Sequence, residues 1–406
     1  MGFLEFVLLI AAMMALGAIG IDSMLPNLPA IGHALGVSDE NRRQLIITVY
    51  LLGFGGAQVV YGPIADRFGR RPVLLVGLSF YVGFSLFAAL SRSFEALLFA
   101  RLLQGIGAAA TRAIPVSVVR DRYAGREMAR VMSLTSLVFM GAPILAPALG
   151  QAVLLVAPWP WIFGLMAALG GIVMVWAVFR LPETLHPEDR LPIAPRRILG
   201  SFAIAAGDRT AMSYTIAQTF LFGGILGFIN SAQQVFADAF HAAGVFPLAF
   251  AIAASFIAIA SIVNARLVMR LGMRMLSHAA LLAFIVVAAV HLAFALSGHE
   301  NLVLFVALQA ATMFTFGLTS GNFGAMAMEP MGHIAGVASS FQGFVTMIGA
   351  SLIGFFIGQQ FNGSVAPVEA GYLLCGLASL AVVLFAEQGR LFRPHQVAPL
   401  HQCPAE

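Results

Sequence analysis

There is no lysine in this chain, and all 22 basic residues are arginine. Acidic residues number 18, so only 10% of the 406 residues carry charge. A soluble domain is about a quarter charged, which excludes a large water-soluble enzyme. Cysteine is almost missing too. Cys375 lies in an apolar run and Cys403 in the tail, a pair too isolated for a disulfide framework or a metal site. The net charge of +4 is scattered among short loops, so no basic patch offers itself to nucleic acid. No GxxxxGK[ST] loop is present to drive an ATP-powered pump. An intramembrane enzyme would need catalytic groups gathered at one depth, and the sequence offers no HExxH, no expected pair of intramembrane carboxylates and no Ser–His arrangement. The polar stretches at 182–209 and 389–406 are too short for a receptor's signalling domain.

Apolar sequence is what remains: 60% of the residues, with a mean hydropathy of +0.92. Runs bounded by charge, Pro or Gly fall at roughly 3–25, 43–62, 72–90, 96–118, 131–155 and 159–181. Six more fall at roughly 210–235, 244–267, 274–297, 301–325, 335–360 and 369–388. Each is about long enough to cross a bilayer. The opening MGFLEFVLLIAAMM has no basic n-region and no small-residue cleavage site, so it reads as a retained first span. The expected fold class is therefore an all-α membrane protein with twelve transmembrane helices. An even count puts both termini on one side.

Arginine chooses that side. With residues 62–71 cytoplasmic, the cytoplasmic segments hold seventeen arginines, among them Arg67, Arg70, Arg71, Arg120, Arg196 and Arg274. The other face keeps Arg42, Arg43 and Arg92. That bias predicts cytoplasmic termini. The longest polar stretch, with LPETLHPEDRLPIAPRR at its centre, divides the chain. It predicts an N-terminal six-helix bundle over 1–181, a linker over 182–209, a C-terminal bundle over 210–388 and a tail over 389–406. The halves echo each other. A shift of 203 residues lays Arg67, Gly69 and Arg71 on Arg270, Gly272 and Arg274, and Leu103-Gln104 pairs with Leu308-Gln309 at a similar shift. Parallel repeats of this kind place a central site between the halves.

Several motifs carry a resemblance. Gly62-Pro-Ile-Ala-Asp66-Arg67-Phe-Gly69-Arg70-Arg71 resembles the loop signature of the major facilitator superfamily. Arg101-Leu-Leu-Gln104-Gly105-Ile-Gly107 resembles its fourth-span motif, and Gly141-Ala-Pro143-Ile-Leu-Ala-Pro147-Ala-Leu-Gly150 its antiporter-associated fifth-span motif. Asp22-Ser-Met-Leu-Pro26 and Arg120-Asp121 are similar to proton-coupled drug exporters of the bicyclomycin-resistance type. Some such exporters carry a second carboxylate about two turns inward of the first-span aspartate, where this chain has Met14.

The resemblance implies a secondary transporter of the bacterial inner membrane that exports amphipathic compounds in exchange for protons. It implies no cofactor beyond the proton gradient, and as partners a small-molecule substrate, protons and lipid, with a monomer as the working unit. A narrow carrier of a natural metabolite, a sugar or amino-acid derivative, is the competing reading. The loop Gly62, Asp66, Arg67, Gly69, Arg70 and Arg71 would latch the halves in the outward-open state, or simply anchor topology. Gly141, Pro143, Pro147 and Gly150 would bend the fifth span to block leakage, or serve packing alone.

From the residues themselves, Asp22 is placed about 6 Å from the outer end of its span at helical rise and Arg101 at a similar depth. Burial favours the protonated acid and a nearby cation the charged one, so a conformational change that alters either moves the proton. A static clamp between spans one and four, or a solvated acid at the mouth, are the alternatives. Gln104 and Arg112 share a face with Arg101, though Arg112 is close enough to the inner end to snorkel. That stripe suits a water-filled central cavity, so with Met14 they are candidate cavity residues. Gln218, Asn230, Gln233, Gln309, Asn322 and Gln342 are the candidate uncharged lining, set among 34 Phe and 18 Met. Soft walls of that composition suit loose recognition. His291 reads as a packed histidine, Glu329 and His333 as solvated loop residues, and Asp22 as the one acid well inside a span.

Overall fold

A computed structural model describes residues 1–190, 192 and 194–392, and their regular secondary structure is helical throughout. Arg393, Cys403 and most of the expected tail lie outside the described residues, as do the side chains of Arg197 and His333. Twelve helices are long and apolar enough to cross a membrane, as expected. They are α1 (Phe3–Ala34), α2 (Asn41–Phe68), α3 (Arg70–Ala89), α4 (Phe94–Arg122), α5 (Gly125–Val156) and α6 (Pro160–Arg180). After the linker come α7 (Arg209–Ala239), α8 (Ala243–Leu271), α9 (Met273–Ser297), α10 (Leu302–Gly332), α11 (Ala335–Gln359) and α12 (Ala366–Ala386). Since the spans alternate in direction, the start of α1, the linker and the finish of α12 share one end of the molecule, the linker end.

Capping sets several helix starts. The side chains of Ser93, Asp208 and Asn301 accept from the backbone N–H of Ala96, Ala211 and Leu304, opening α4, α7 and α10. Each satisfies a donor that the helix itself cannot. The linker is more ordered than its prolines suggest. Within it Pro195–Gly207 forms a helix that packs on α7 and α11, with the rings of Phe202 and Phe341 5.3 Å apart.

Two boundaries differ from expectation. The charged turn expected over 62–71 narrows to one residue: Gly62, Asp66 and Arg67 lie on α2, and α3 begins at Arg70. Gly69 makes the break with φ +102°, a conformation that side chains resist, and its repeat mate Gly272 breaks α8 from α9 at φ +80°. The first span also runs further than 3–25. Its α-helical ladder stops at Asp22, turns through Ser23 and Met24, then resumes as a short tight helix and Leu28–Ala34. Asp22 therefore lies twelve residues before the end of α1, deeper than its distance from Pro26 suggests.

Close backbone contact holds the first six helices together. Gly53 of α2 faces the Leu102 carbonyl of α4, and Gly105 of α4 faces the Tyr50 carbonyl of α2, with no room for a Cβ at either. Across the linker, α2 packs along α11 and α5 along α8. The α11 glycines serve that contact and the one with α7: Gly343 faces Gln58 and Gly358 faces Gln44, while Gly354 lies against the backbone of Leu226 and Gly227.

Candidate functional site

Asp22 is 6% exposed at the point where the helical ladder of α1 breaks. Arg101, fully buried on α4, reaches towards the same break. Its Nη2 donates to the Gly20 carbonyl (2.8 Å), its Nε to the Ile46 carbonyl (3.2 Å) and its Nη1 to Gln104 Oε1 (2.6 Å). The guanidinium carbon sits 4.2 Å from the Tyr50 ring centroid, and the Tyr50 hydroxyl donates to the Gly17 carbonyl (3.3 Å). Arg101 thus joins α1, α2 and α4 through carbonyls and an aromatic face. The expected contact with the Asp22 carboxylate is not made. Gln104 turns its amide away to Ser85 Oγ (2.6 Å) and towards Met166 Sδ (3.5 Å), so it is packed between helices.

The residues that follow Asp22 abut the fifth-span motif. Asn27 Nδ2 donates to the carbonyls of Ser23 and Gly150, both at 3.2 Å. The α carbon of Gly150 lies so close to the Ser23 carbonyl that a Cβ would collide with it, whereas a Cβ on Gly141 would meet open space. The helix passes through Pro143 and Pro147 without interruption. The motif therefore meets α1 through its last glycine, one residue past Asp22.

At the linker end Arg70, buried on α3, bonds Asp66 Oδ1 (2.5 Å) and Asp121 Oδ2 (3.0 Å). Glu183, in the linker, accepts from the backbone N–H of Arg70 and Arg71 and caps α3. Arg67 is exposed, and Gly62 packs near Ser340 of α11. The second half repeats the device with different residues. Arg274 of α9 bonds Glu329 Oε2 (3.3 Å) and Glu387 Oε1 (3.0 Å), and Tyr214 donates to the same Glu387 oxygen (2.6 Å). Burial raises the Glu387 carboxyl, but the bonds from Tyr214 and Arg274 outweigh it and hold the group below the usual carboxylate range. Glu329 is exposed, as expected of a solvated residue, and it also pairs with Arg274.

The opposite end is closed across the two halves by amides. Asn41 Nδ2 donates to the carbonyls of Gln359 (3.2 Å) and Phe361 (3.0 Å), and Gln359 Nε2 donates to the Asn41 carbonyl (2.8 Å). Gln234 Nε2 donates to Asn41 Oδ1 (2.8 Å), while Gln44 Nε2 donates to Gln234 Oε1 (2.7 Å) and the Gly358 carbonyl (3.0 Å). None of these amides was among the candidates, although Gln233 stands beside Gln234. Helical phase turns Gln234 to the partner half and leaves Gln233 half-buried.

The uncharged candidates separate. Gln218 accepts from Gln342 Nε2 (3.3 Å) and donates to Ser320 Oγ (3.2 Å), a half-buried polar patch joining α7, α10 and α11. Met14 is buried, and Arg112 is exposed with its guanidinium 5.9 Å from the Phe139 ring. Gln309 donates to the Tyr372 hydroxyl (2.7 Å) and Asn322 to Asn264 (2.7 Å), so both are locked in helix packing. Asn230 is buried with neither side-chain polar atom bonded. Asp22 is not the one deep acid: Glu369 in the first turn of α12 is fully buried beside His291.

Twelve spanning helices in two repeat-related sets, joined across their faces and carrying a buried acid at a helix break, define a multi-pass transporter fold. The sequence matches the model of the Major Facilitator Superfamily over residues 8–354, and the chain belongs to that family. It is 30% identical over 384 residues to the uncharacterized MFS-type transporter YdgK of Bacillus subtilis, covering 93% of this chain and 94% of that protein. It is 27% identical over 393 residues to the multidrug resistance protein MdtL of Escherichia fergusonii, covering 97% and 98%. The fold is similar to that of the xylose transporter XylE from E. coli, with a TM-score of 0.75 at 11% identity, covering 95% and 97%. It also resembles the human organic anion transporter MFSD10, with a TM-score of 0.66 at 19% identity, covering 94% and 98%.

Proposed function

We propose that this transporter exports amphipathic organic compounds in exchange for protons, as an exporter of the bicyclomycin-resistance type in a bacterial inner membrane. The observation that carries this reading is Asp22: a buried carboxylate at a break in α1, with no hydrogen bond or ion pair to its side chain among the described residues. An uncompensated charge inside a membrane costs roughly 2.5–3.5 kcal/mol or more, so the acid holds a proton while buried and yields it once water or a cation reaches it. Arg101 of α4 bonds the Gly20 carbonyl, two residues before Asp22 on α1. A small shift of α1 against α4 would exchange that carbonyl for the carboxylate.

The membrane supplies the drive. One charge crossing 100 mV contributes roughly 2.3 kcal/mol before any pH gradient. The arginine bias supports cytoplasmic termini, which makes the amide-closed end the outer one. Exchange then requires the Asn41, Gln44, Gln234 and Gln359 network to open. The protein acts as a monomer, with the gradient in place of a cofactor. The name of the MdtL relative supports drugs as cargo, and the Gln218–Gln342–Ser320 patch offers that cargo neutral hydrogen bonds.

Purified protein challenged with a panel of unrelated amphipathic dyes tests this directly. Several dyes should release protons from the wild type and none from Asp22→Asn. Proton release by one compound alone would make this a narrow metabolite carrier, and undiminished release from Asp22→Asn would reject the coupling role.

A further inference from the structure

Three titratable side chains far apart in sequence meet near the amide-closed end of the second half. His291 lies late in α9, Glu300 in the loop before α10 and Glu369 in the first turn of α12. Imidazole Nε2 is 2.6 Å from Glu300 Oε1, and Nδ1 is 2.8 Å from Glu369 Oε2. The three side chains are 0%, 5% and 0% exposed.

Among the described residues, what surrounds them carries no compensating cation. From α10 come the Phe305 ring, 5.2 Å from the imidazole by centroids, and Gln309. From α12 comes Tyr372, whose hydroxyl takes the Gln309 amide hydrogen. The α8 sequence has no titratable residue before Arg266, far along towards the linker end. On α7 the nearest titratable residue is Asp238, which faces Glu40 and Arg43 instead. His299, beside Glu300, is exposed and bonds the Ser297 carbonyl. Among the described residues no arginine lies within ion-pair distance of Glu300 or Glu369.

The charge balance then fixes the proton count. Two carboxylates and a neutral imidazole carry two negative charges, and protonating the imidazole alone still leaves one. Only a second proton makes the group neutral. Hydrogen bonding agrees: Glu369 Oε1 and Glu300 Oε2 are buried with no hydrogen-bond donor, and the 2.8 Å approach of His291 Nδ1 to Glu369 Oε2 lies outside hydrogen-bonding geometry. A carboxylate stripped of donors is the form that burial penalises most, and the acid the form it tolerates.

We propose that His291, Glu300 and Glu369 form a second proton-binding site, separate from Asp22, that holds two protons while this end is closed. In that state imidazolium is paired with Glu300, and Glu369 is a carboxylic acid. When the surroundings admit water, the Glu369 O–H bond breaks, the electron pair stays on oxygen and the proton passes to water. The site stands without the Asp22 reading, because nothing in its geometry touches α1.

Proton uptake on a pH jump from alkaline to neutral, measured with the full-length protein in lipid nanodiscs, tests it. Glu369→Gln should bind about one proton fewer than wild type, and the loss should recur in an Asp22→Asn background. Unchanged uptake in both backgrounds overturns the proposal and leaves a permanently charged clamp. Wild-type protein labelled with carboxyl-13C glutamate gives a second measurement that needs no variant. At neutral pH its infrared spectrum should contain a carboxylic-acid band shifted by the label. A spectrum with no such glutamate band overturns the site even if Glu369→Gln fails to fold, and an aspartate band leaves Asp22 untouched.

Discussion

Arg101 donates to the main-chain carbonyl of Gly20 at 2.8 Å and leaves the Asp22 carboxylate, two residues further along α1, without a bonded cation. Charge and counter-charge are thus held on neighbouring stations of one helix. Asp22→Asn should retain folding and cargo binding while abolishing cargo-induced proton release, measured with a pH-indicating dye. Retained release sinks the role assigned to Asp22.

Arg101→Lys should be nearly as damaging as Arg101→Ala. A single ammonium cannot reproduce three directed bonds to Gly20, Ile46 and Gln104 together with the stack on Tyr50. Loss of a buried, fully bonded charge is expected to cost about 3 kcal/mol, read as a drop in melting temperature of the purified protein. A lysine variant with wild-type melting and transport would mean that only the charge matters.

The fifth-span glycines should respond differently to the same change. Gly150→Ala drives a methyl group into the Ser23 carbonyl and should cost about 1–3 kcal/mol, with impaired proton coupling. Gly141→Ala meets open space and should leave melting and transport unchanged. Equal effects at both positions would show that the α1 contact is not what the motif provides.

Glu387 gives a pH signature at the linker end. Its carboxyl is held below the usual range, so its contribution to stability is complete above the unfolded carboxyl's pKa and is lost as pH falls through the lower folded value. Glu387→Gln should lower stability by about 2 kcal/mol at neutral pH, and the difference from wild type should shrink in acid. Melting curves from neutral to acidic pH check this, and a gap that widens in acid has the wrong sign.

Opening of the amide-closed end can be followed at Thr48, buried one turn below Gln44. In a background with both cysteines replaced, Thr48→Cys should react slowly with a membrane-impermeant thiol reagent. Adding Asn41→Ala and Gln44→Ala removes six cross-half bonds that these two side chains make and the rate should rise about tenfold, equivalent to roughly 1.4 kcal/mol. No change in rate would show that the amides do not hold this end shut.

The spans were legible because apolar runs of membrane length are broken by charge, Pro and Gly, and the Gly69–Gly272 repeat has its counterpart in two matching backbone breaks. The continuation of α1 to Ala34 was not, since Pro26 and Asn27 look like an end and only packing against Gly150 carries the chain through. Glu369 was read as a span boundary because an acid in a first turn ordinarily faces water. His291, 78 positions earlier, is what draws it inward, and no local pattern links the two. Gln44 and Gln234 carry no signal beyond polarity, and their partnership exists only once the halves meet.

Among the described residues, the hydrogen bonds that Asn41, Gln44, Gln234 and Gln359 make across the two halves run between neutral amides and carbonyls. Asp238 of the second half faces Glu40 and Arg43 of the first beside them. Breaking those amide bonds displaces no charge of their own through the electric field. The amide bonds themselves should therefore yield alike in dilute and concentrated salt and at any voltage. The electrical work of each cycle must then be gathered wherever protons board and leave.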